Sequence, residues 1–226
     1  MTRLHRTRLL FGDTGVQKLK AATVMVVGCG AVGSFAIEAL ARSGVGHLIV
    51  VDFDSVEESN INRQLFALDS TVGQKKVLVA KQRIHDINPE IVVDALDVFF
   101  DENTELSIQP DFIIDAIDTV ESKVALYKWA SSHNVPIISS MGAASKTDIS
   151  LIKIAPLSRT SVCPLASRVR RLVREANLSD IPVVYSTQSP RPVTGHAKNL
   201  GSVITVTGTF GLTMANYVIS KIIQDI

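Results

Sequence analysis

Near the N-terminus, residues 23–42 read TVMVVGCGAVGSFAIEALAR, and they leave this chain little choice of fold. The run Thr23, Val24, Met25, Val26, Val27 is apolar and mostly β-branched, as a parallel strand buried on both faces must be. Gly28, Gly30 and Gly33 follow in the pattern G-x-G-x-x-G. Val32, Phe35, Ala36, Ala39 and Leu40 then recur at helical spacing, and Gly44 is placed to close that helix in a left-handed cap. Strand, glycine turn and helix together make a phosphate site: the glycines let backbone approach the anion, and the helix start attracts it. A second apolar run, Leu48 to Val51, ends at Asp52, where an acidic residue can bind ribose hydroxyls. Taken alone, the same pattern could be a tight strand-helix turn with no ligand.

Strand-helix alternation continues to the C-terminus. Helical patterns cover Phe11 to Lys20, a segment opened by Gly73 to Lys76 and ended by Asn88-Pro89, and Ser122 to His133. Strands are expected over Ile91 to Val98, Asp111 to Asp118, Val135 to Ser140, Ile149 to Ala155 and Ser202 to Val206, with a closing helix from Phe210 to Ile223. This predicts an α/β, Rossmann-like, mostly parallel sheet flanked by helices, with a C-terminal extension that adds antiparallel strands. One domain over 1–226 is the simplest division. It comprises an arginine-bearing arm and helix (1–22), a nucleotide-binding core (23–155), a proline-rich crossover or lid (156–200) and a closing strand and helix (201–226).

Bulk properties exclude several classes. The chain has 226 residues, 46% apolar, with a formal net charge of +1. That is enough for one sizeable core and too neutral for a wholly basic nucleic-acid binder. No apolar run is long enough to span a bilayer, so no stable membrane insertion is expected. The N-terminal MTRLHRTRLL lacks a signal-peptide core, which makes the cytoplasm the default location. The two cysteines, Cys29 and Cys163, form no CxxC pair, which excludes a disulfide framework and a four-cysteine zinc site. The five histidines show no ligand spacing and read as structural.

Candidate ligands cluster after the second strand, at the carboxyl edge where open α/β sheets bind. The stretch from Asp52 to Gln64 is polar and carries Asp54, Asn60, Asn62, Arg63 and Gln64. Lys76 stands at a helix start, as a phosphate ligand or an ordinary surface lysine. Asp118 ends a buried strand, as a metal ligand or a helix cap. A dehydrogenase needs the glycines and Asp52 but has no use for Arg63, Lys76 and a later aspartate on the same edge. Splitting ATP between its α- and β-phosphates does: cationic side chains and a divalent cation offset the charge on the phosphates, and an aspartate holds the cation.

The glycine motif, VDFDxVExSNxNRQ (51–64), VGQKK (72–76) and DAIDT (115–119) resemble, in this order, the adenylating superfamily of ubiquitin-activating, molybdopterin-synthase-activating and ThiS-activating enzymes. The resemblance covers about residues 3–155. It implies ATP and magnesium as cofactors: Asp52 on the ribose, Arg63 and Lys76 on the phosphates, Asp118 on magnesium, and Gly28, Gly30, Gly33, Asp54, Asn60, Asn62 and Gln64 around the nucleotide. Arg3 and Arg6 resemble the family's N-terminal arginine finger, with Arg6 reaching the partner's ATP in a homodimer.

Within that superfamily, SMGAASK (140–146), LSRTSVCPLASRVRRLVRE (157–175), VVYST (183–187) and GS-x-x-x-V-T-G-T-F-G (201–211) look like the tRNA threonylcarbamoyladenosine dehydratases. These use ATP to activate a carboxylate on a modified tRNA adenosine, and loss of AMP closes a ring. The resemblance implies tRNA as substrate, with Arg168, Arg170, Arg171 and Arg174 as backbone contacts or as a solvated helix face. Cys163 has two readings. One is an acceptor thiol with a sulfur-relay protein as partner; the other is a loop cysteine, since many dehydratases carry Asp-Pro-Leu where this chain has Cys-Pro-Leu. Two other functions stay open at this point. One is adenylation of a small ubiquitin-like sulfur carrier; the other is an NAD-binding oxidoreductase or a silent nucleotide-binding module.

Overall fold

The computed structural model describes residues 2–191 and 200–224. Among these residues seven strands, β1 (Thr23–Val27), β2 (His47–Val51), β3 (Val92–Leu96), β4 (Phe112–Asp115), β5 (Ile137–Ser140), β6 (Ile152–Pro156) and β7 (Pro182–Ser186), form one sheet. Its order is β3-β2-β1-β4-β5-β7-β6. All pairings are parallel except β6 with β7, where Ile154 lies opposite Val184. The antiparallel strand is the outermost one, so the predicted Rossmann-like sheet stands with a single antiparallel edge.

Among the described residues six helices cover the two faces: α1 (His5–Ala21), α2 (Gly33–Ser43), α3 (Lys76–Ile87), α4 (Val120–Ser132), α5 (Pro164–Glu175) and α6 (Ile204–Gln224). Strand residues alternate between two cores. Val24, Val26, Leu48, Val50 and Ile114 pack with α1, α2, α3 and α6, whereas Met25, Val27, Ile49 and Ile113 pack with α4 and α5. Both faces are thus buried, which is why the parallel strands read as unbroken apolar runs. Gly44 ends α2 at φ 96°, the left-handed cap its position predicts. None of the helices among the described residues is long and apolar enough to cross a membrane.

Three expectations need correction. The β-branched run at Ser202 to Val206 is not a strand; α6 starts at Ile204. Its Val206, Phe210, Met214 and Val218 are fully buried at helical spacing, and that burial outweighs β propensity. The helix also lies unusually close to α2, because a Cβ on Gly211 would stand 2.2 Å from the Val32 carbonyl oxygen. Ile149 to Ala155 divides: Asp148 caps a 3₁₀ turn at Ile149–Leu151 through the Ser150 amide, and β6 begins after it. Finally, the N-terminal arm is helical from His5, with a kink at Gly12, where φ is 71°.

The segment from 156 to 191 does not lie over the sheet as a detached lid. It supplies α5 to one face and β7 to the sheet interior. Pro192 and His196 lie outside the described residues.

Candidate nucleotide-binding site

The carboxyl ends of β1, β2, β4 and β5 open into a cleft of about 790 Å³, within the range of small-molecule sites. β1 pairs with β4 across the turn in strand order, so residues about 90 apart in sequence meet there. The three motif glycines do different jobs. Gly28 has φ 97°, and a Cβ there would stand 2.7 Å from the Ala116 carbonyl oxygen. A Cβ on Gly33 would stand 1.7 Å from the Gly28 carbonyl oxygen. These two are packing requirements. Gly30 faces the cleft, and a Cβ there would meet nothing nearer than Gln64 Nε2 at 3.8 Å.

Asp52 follows β2 and is already engaged by backbone. Its Oδ2 accepts from the Cys29 amide at 2.6 Å and its Oδ1 from the Asp54 amide at 2.8 Å. It therefore holds the glycine turn in shape and keeps its remaining lone pairs for a ligand. Burial pushes its carboxyl above the usual range; those two bonds and the Lys76 charge oppose the shift. Cys29 is fully buried between the glycines, and burial, with the Asp52 charge, pushes its thiol up, which makes it inert packing.

Lys76 begins α3 and is buried at 6% exposure, not an ordinary surface lysine. Its ammonium is 2.8 Å from Asp54 Oδ2. Arg63 donates to the Ser59 carbonyl at 2.7 Å and to Asn62 Oδ1 at 2.9 Å, and among the described residues no carboxylate pairs with it. Asn60 accepts from the Glu57 amide at 3.1 Å, as a turn former. Gln64 is buried and lines the cleft; Asn62 does not, and instead donates to the Ser202 carbonyl at 3.1 Å. Asn62 thereby ties this loop to the start of α6. Asp118 is exposed and lines the cleft from the turn after β4, and its carboxylate accepts a long bond, 3.4 Å, from the Thr119 hydroxyl.

Several predicted residues stand elsewhere. Arg3 and Arg6 are exposed, and neither lines the cleft of its own chain. Cys163 is 4% exposed, packs among Met141, Leu157 and Val169, and does not line the cleft. Gly142, which does line it, is the wall between them: a Cβ there would meet Cys163 Sγ at 3.4 Å. The α5 arginines are not equivalent. Arg170 turns inward and donates to the Thr160 carbonyl at 2.9 Å and its hydroxyl at 2.7 Å. Arg168, Arg171 and Arg174 stay exposed, the first paired with Glu121 at 2.7 Å.

The sequence reading missed the far walls of the cleft. Phe53 and Phe99 meet edge to face at 4.9 Å and line one side with Val98. Leu165, Leu200, Ser202 and Thr207 line the other. Beneath the floor, Lys123 and Asp115 form an ion pair of 2.7 Å with no exposure of either side chain.

The matches to known proteins agree with this geometry. Residues 4–225 match the ThiF family. The chain belongs to that family. Similar ThiF-type relatives include the tRNA threonylcarbamoyladenosine dehydratase of Bacillus subtilis, 48% identical over 82% of this chain and 74% of that protein. The Haemophilus influenzae protein of the same name is 34% identical over 99% of this chain and 97% of its own length. Among solved structures, the Escherichia coli tRNA N6-threonylcarbamoyladenosine dehydratase in complex with ATP superposes with a TM-score of 0.91. It is 32% identical, over 97% of this chain and 93% of that one.

Proposed function

We propose that this ThiF-family protein is an ATP-dependent tRNA threonylcarbamoyladenosine dehydratase. One observation carries the reading: the chain matches, over nearly its whole length, a dehydratase structure that holds ATP, and its own cleft brings together Asp52, Arg63, Lys76 and Asp118. In the first step a carboxylate oxygen of the threonylcarbamoyl group bonds to the α-phosphorus. The bond from that phosphorus to the bridging oxygen breaks, and pyrophosphate leaves. A nitrogen or oxygen of the same substrate then attacks the activated carbonyl carbon and expels AMP, a net loss of water. The second step is intramolecular and gains from high effective molarity, so it needs no enzyme nucleophile.

The residues supply binding and charge. Asp52 orients the ribose, while Lys76 and Arg63 offset phosphate charge as pyrophosphate departs. Opening the Lys76–Asp54 pair frees the ammonium for that role. Magnesium is part of the proposal. Among the described residues no three His, Cys, Asp or Glu side chains cluster as a metal cage. A lone exposed Asp118 fits an ion that takes one carboxylate and completes its shell with phosphates and water. When bound, such an ion offsets charge on the triphosphate. Exposed Arg168, Arg171 and Arg174 are the proposed contacts to the tRNA backbone, and the cytoplasm is the proposed location. Arg6 acts in a homodimer, across the interface.

The test is release of AMP and pyrophosphate from ATP with threonylcarbamoyladenosine-bearing tRNA against unmodified tRNA, with mass analysis of the nucleoside. Loss of one water from the modified base, abolished by Asp118→Ala, is expected. No tRNA-dependent AMP, with AMP formed on a carrier protein ending in Gly-Gly instead, would overturn the reading.

A further inference from the structure

The Lys123–Asp115 pair belongs to a buried network that reaches the cleft from both sides. Lys123 Nζ donates to Asp115 Oδ2 at 2.7 Å, to Ser139 Oγ at 3.2 Å and to the Ser140 carbonyl at 2.8 Å. Those three bonds use all the donors an ammonium has. Ser139 donates to Asp115 Oδ2 at 2.5 Å, and the Tyr127 hydroxyl lies 2.9 Å from the same oxygen. The other carboxylate oxygen, Asp115 Oδ1, accepts from the Ile117 amide at 3.0 Å.

The last bond connects the network to function. Ile117 belongs to the turn after β4, and Ala116, Ile117, Asp118 and Thr119 all line the cleft. Ser140, Met141 and Gly142, after β5, line it from the other side. One ammonium therefore grips the ends of two adjacent strands, and one carboxylate grips the turn between β4 and α4. A buried ion pair is weak evidence for stability, because an apolar set of similar volume often holds a core equally well. An apolar set would not hold the Ile117 amide or the Ser140 carbonyl. What the pair specifically provides is geometry at the cleft floor.

We propose that Lys123 is a positioning residue that, through Asp115, fixes the turn carrying Asp118 for magnesium-bound ATP. The proposal rests on the adenylating function above. Partners that orient a metal-binding carboxylate from behind commonly change metal affinity by about ten- to a hundredfold.

The test compares wild type, Lys123→Met and the double variant Asp115→Leu/Lys123→Met. The double variant leaves no unpaired buried charge and keeps the comparison usable if Lys123→Met does not fold. Amide hydrogen exchange reads the turn without any ligand, and calorimetry reads ATP affinity in magnesium and in EDTA. Faster exchange at 116–119, extending at most to the facing turn at 140–142, with about tenfold or greater loss of affinity in magnesium only, is the expected result. Unchanged exchange, wild-type affinity in magnesium, or an equal loss in EDTA would each overturn the proposal. Wild type that binds no magnesium-ATP would reject the adenylating function instead, while the exchange data would still judge the positioning.

Discussion

The Lys76 ammonium lies 2.8 Å from Asp54 Oδ2, so the principal buried cation of the cleft is held by an acidic neighbour before any phosphate arrives. Asp54 is half exposed at 47%, which makes the pair easy to open. Lys76→Ala is expected to lower kcat for AMP release by about 10²–10³, the size of losing one charge-stabilising donor. Steady-state AMP release with the modified tRNA checks this, and an unchanged kcat would remove Lys76 from the phosphate site.

The motif glycines separate packing from binding. Gly33→Ala forces a Cβ onto the Gly28 carbonyl oxygen and should cost about 3 kcal/mol or more. Gly30→Ala meets open cleft and should leave the unfolding free energy within about 0.5 kcal/mol of wild type. It should nonetheless weaken ATP binding by about tenfold or more, or about 1.4 kcal/mol. Urea melts beside calorimetry decide; Gly30→Ala with full ATP affinity would mean that phosphate does not approach this backbone.

For α5 the prediction splits one charge run in two. Arg168→Ala, Arg171→Ala and Arg174→Ala should each weaken tRNA binding and make the slope of log affinity against log salt shallower, by about 1 for each phosphate no longer neutralised. Arg170→Ala should instead cost about 1–2 kcal/mol of stability, since it removes the donor to Thr160. Filter binding across a salt series measures the first effect and thermal melts the second. An unchanged slope in all three variants would move the tRNA surface elsewhere.

Tyr127 carries a pH signature. Burial first, and the Asp115 charge second, push its phenol well above its ordinary value near 10. The native state therefore keeps this proton after the unfolded chain has lost it. Its contribution to stability is complete below about pH 10 and is lost as pH climbs from there toward the native value. Native wild type and Tyr127→Phe should show the same tyrosinate absorbance near pH 10. One extra ionising tyrosine in wild type would contradict this.

What could be read from sequence was what the chain encodes locally. The glycine turn, Asp52 and the β1–α2 unit lie within thirty residues, and local spacing specifies them. Lys123 was invisible for the opposite reason: a lysine in a helical pattern is usually solvated, and which side of α4 faces its partners Asp115 on β4 and Ser139 on β5 is decided by tertiary packing. The same holds for Arg170 against Arg168, since which side of α5 meets Thr160 is decided by tertiary packing. Ser202 to Val206 misled because β-branched residues favour strands unless a face of the helix is buried, as Val206 is.

The cleft takes its walls from Val27 through Thr207, and that span has a consequence for synthesis. A ribosome that has released β1, α2 and β2 has made the recognisable motif but not a binding site. β4 must still join β1, and the start of α6 must still close the far wall. ATP can therefore give no stabilising reward to a nascent N-terminal fragment, however abundant it is. Nucleotide binding reports that synthesis has passed the start of α6, and truncation before α6 should give a protein that has lost its ligand as well as that helix.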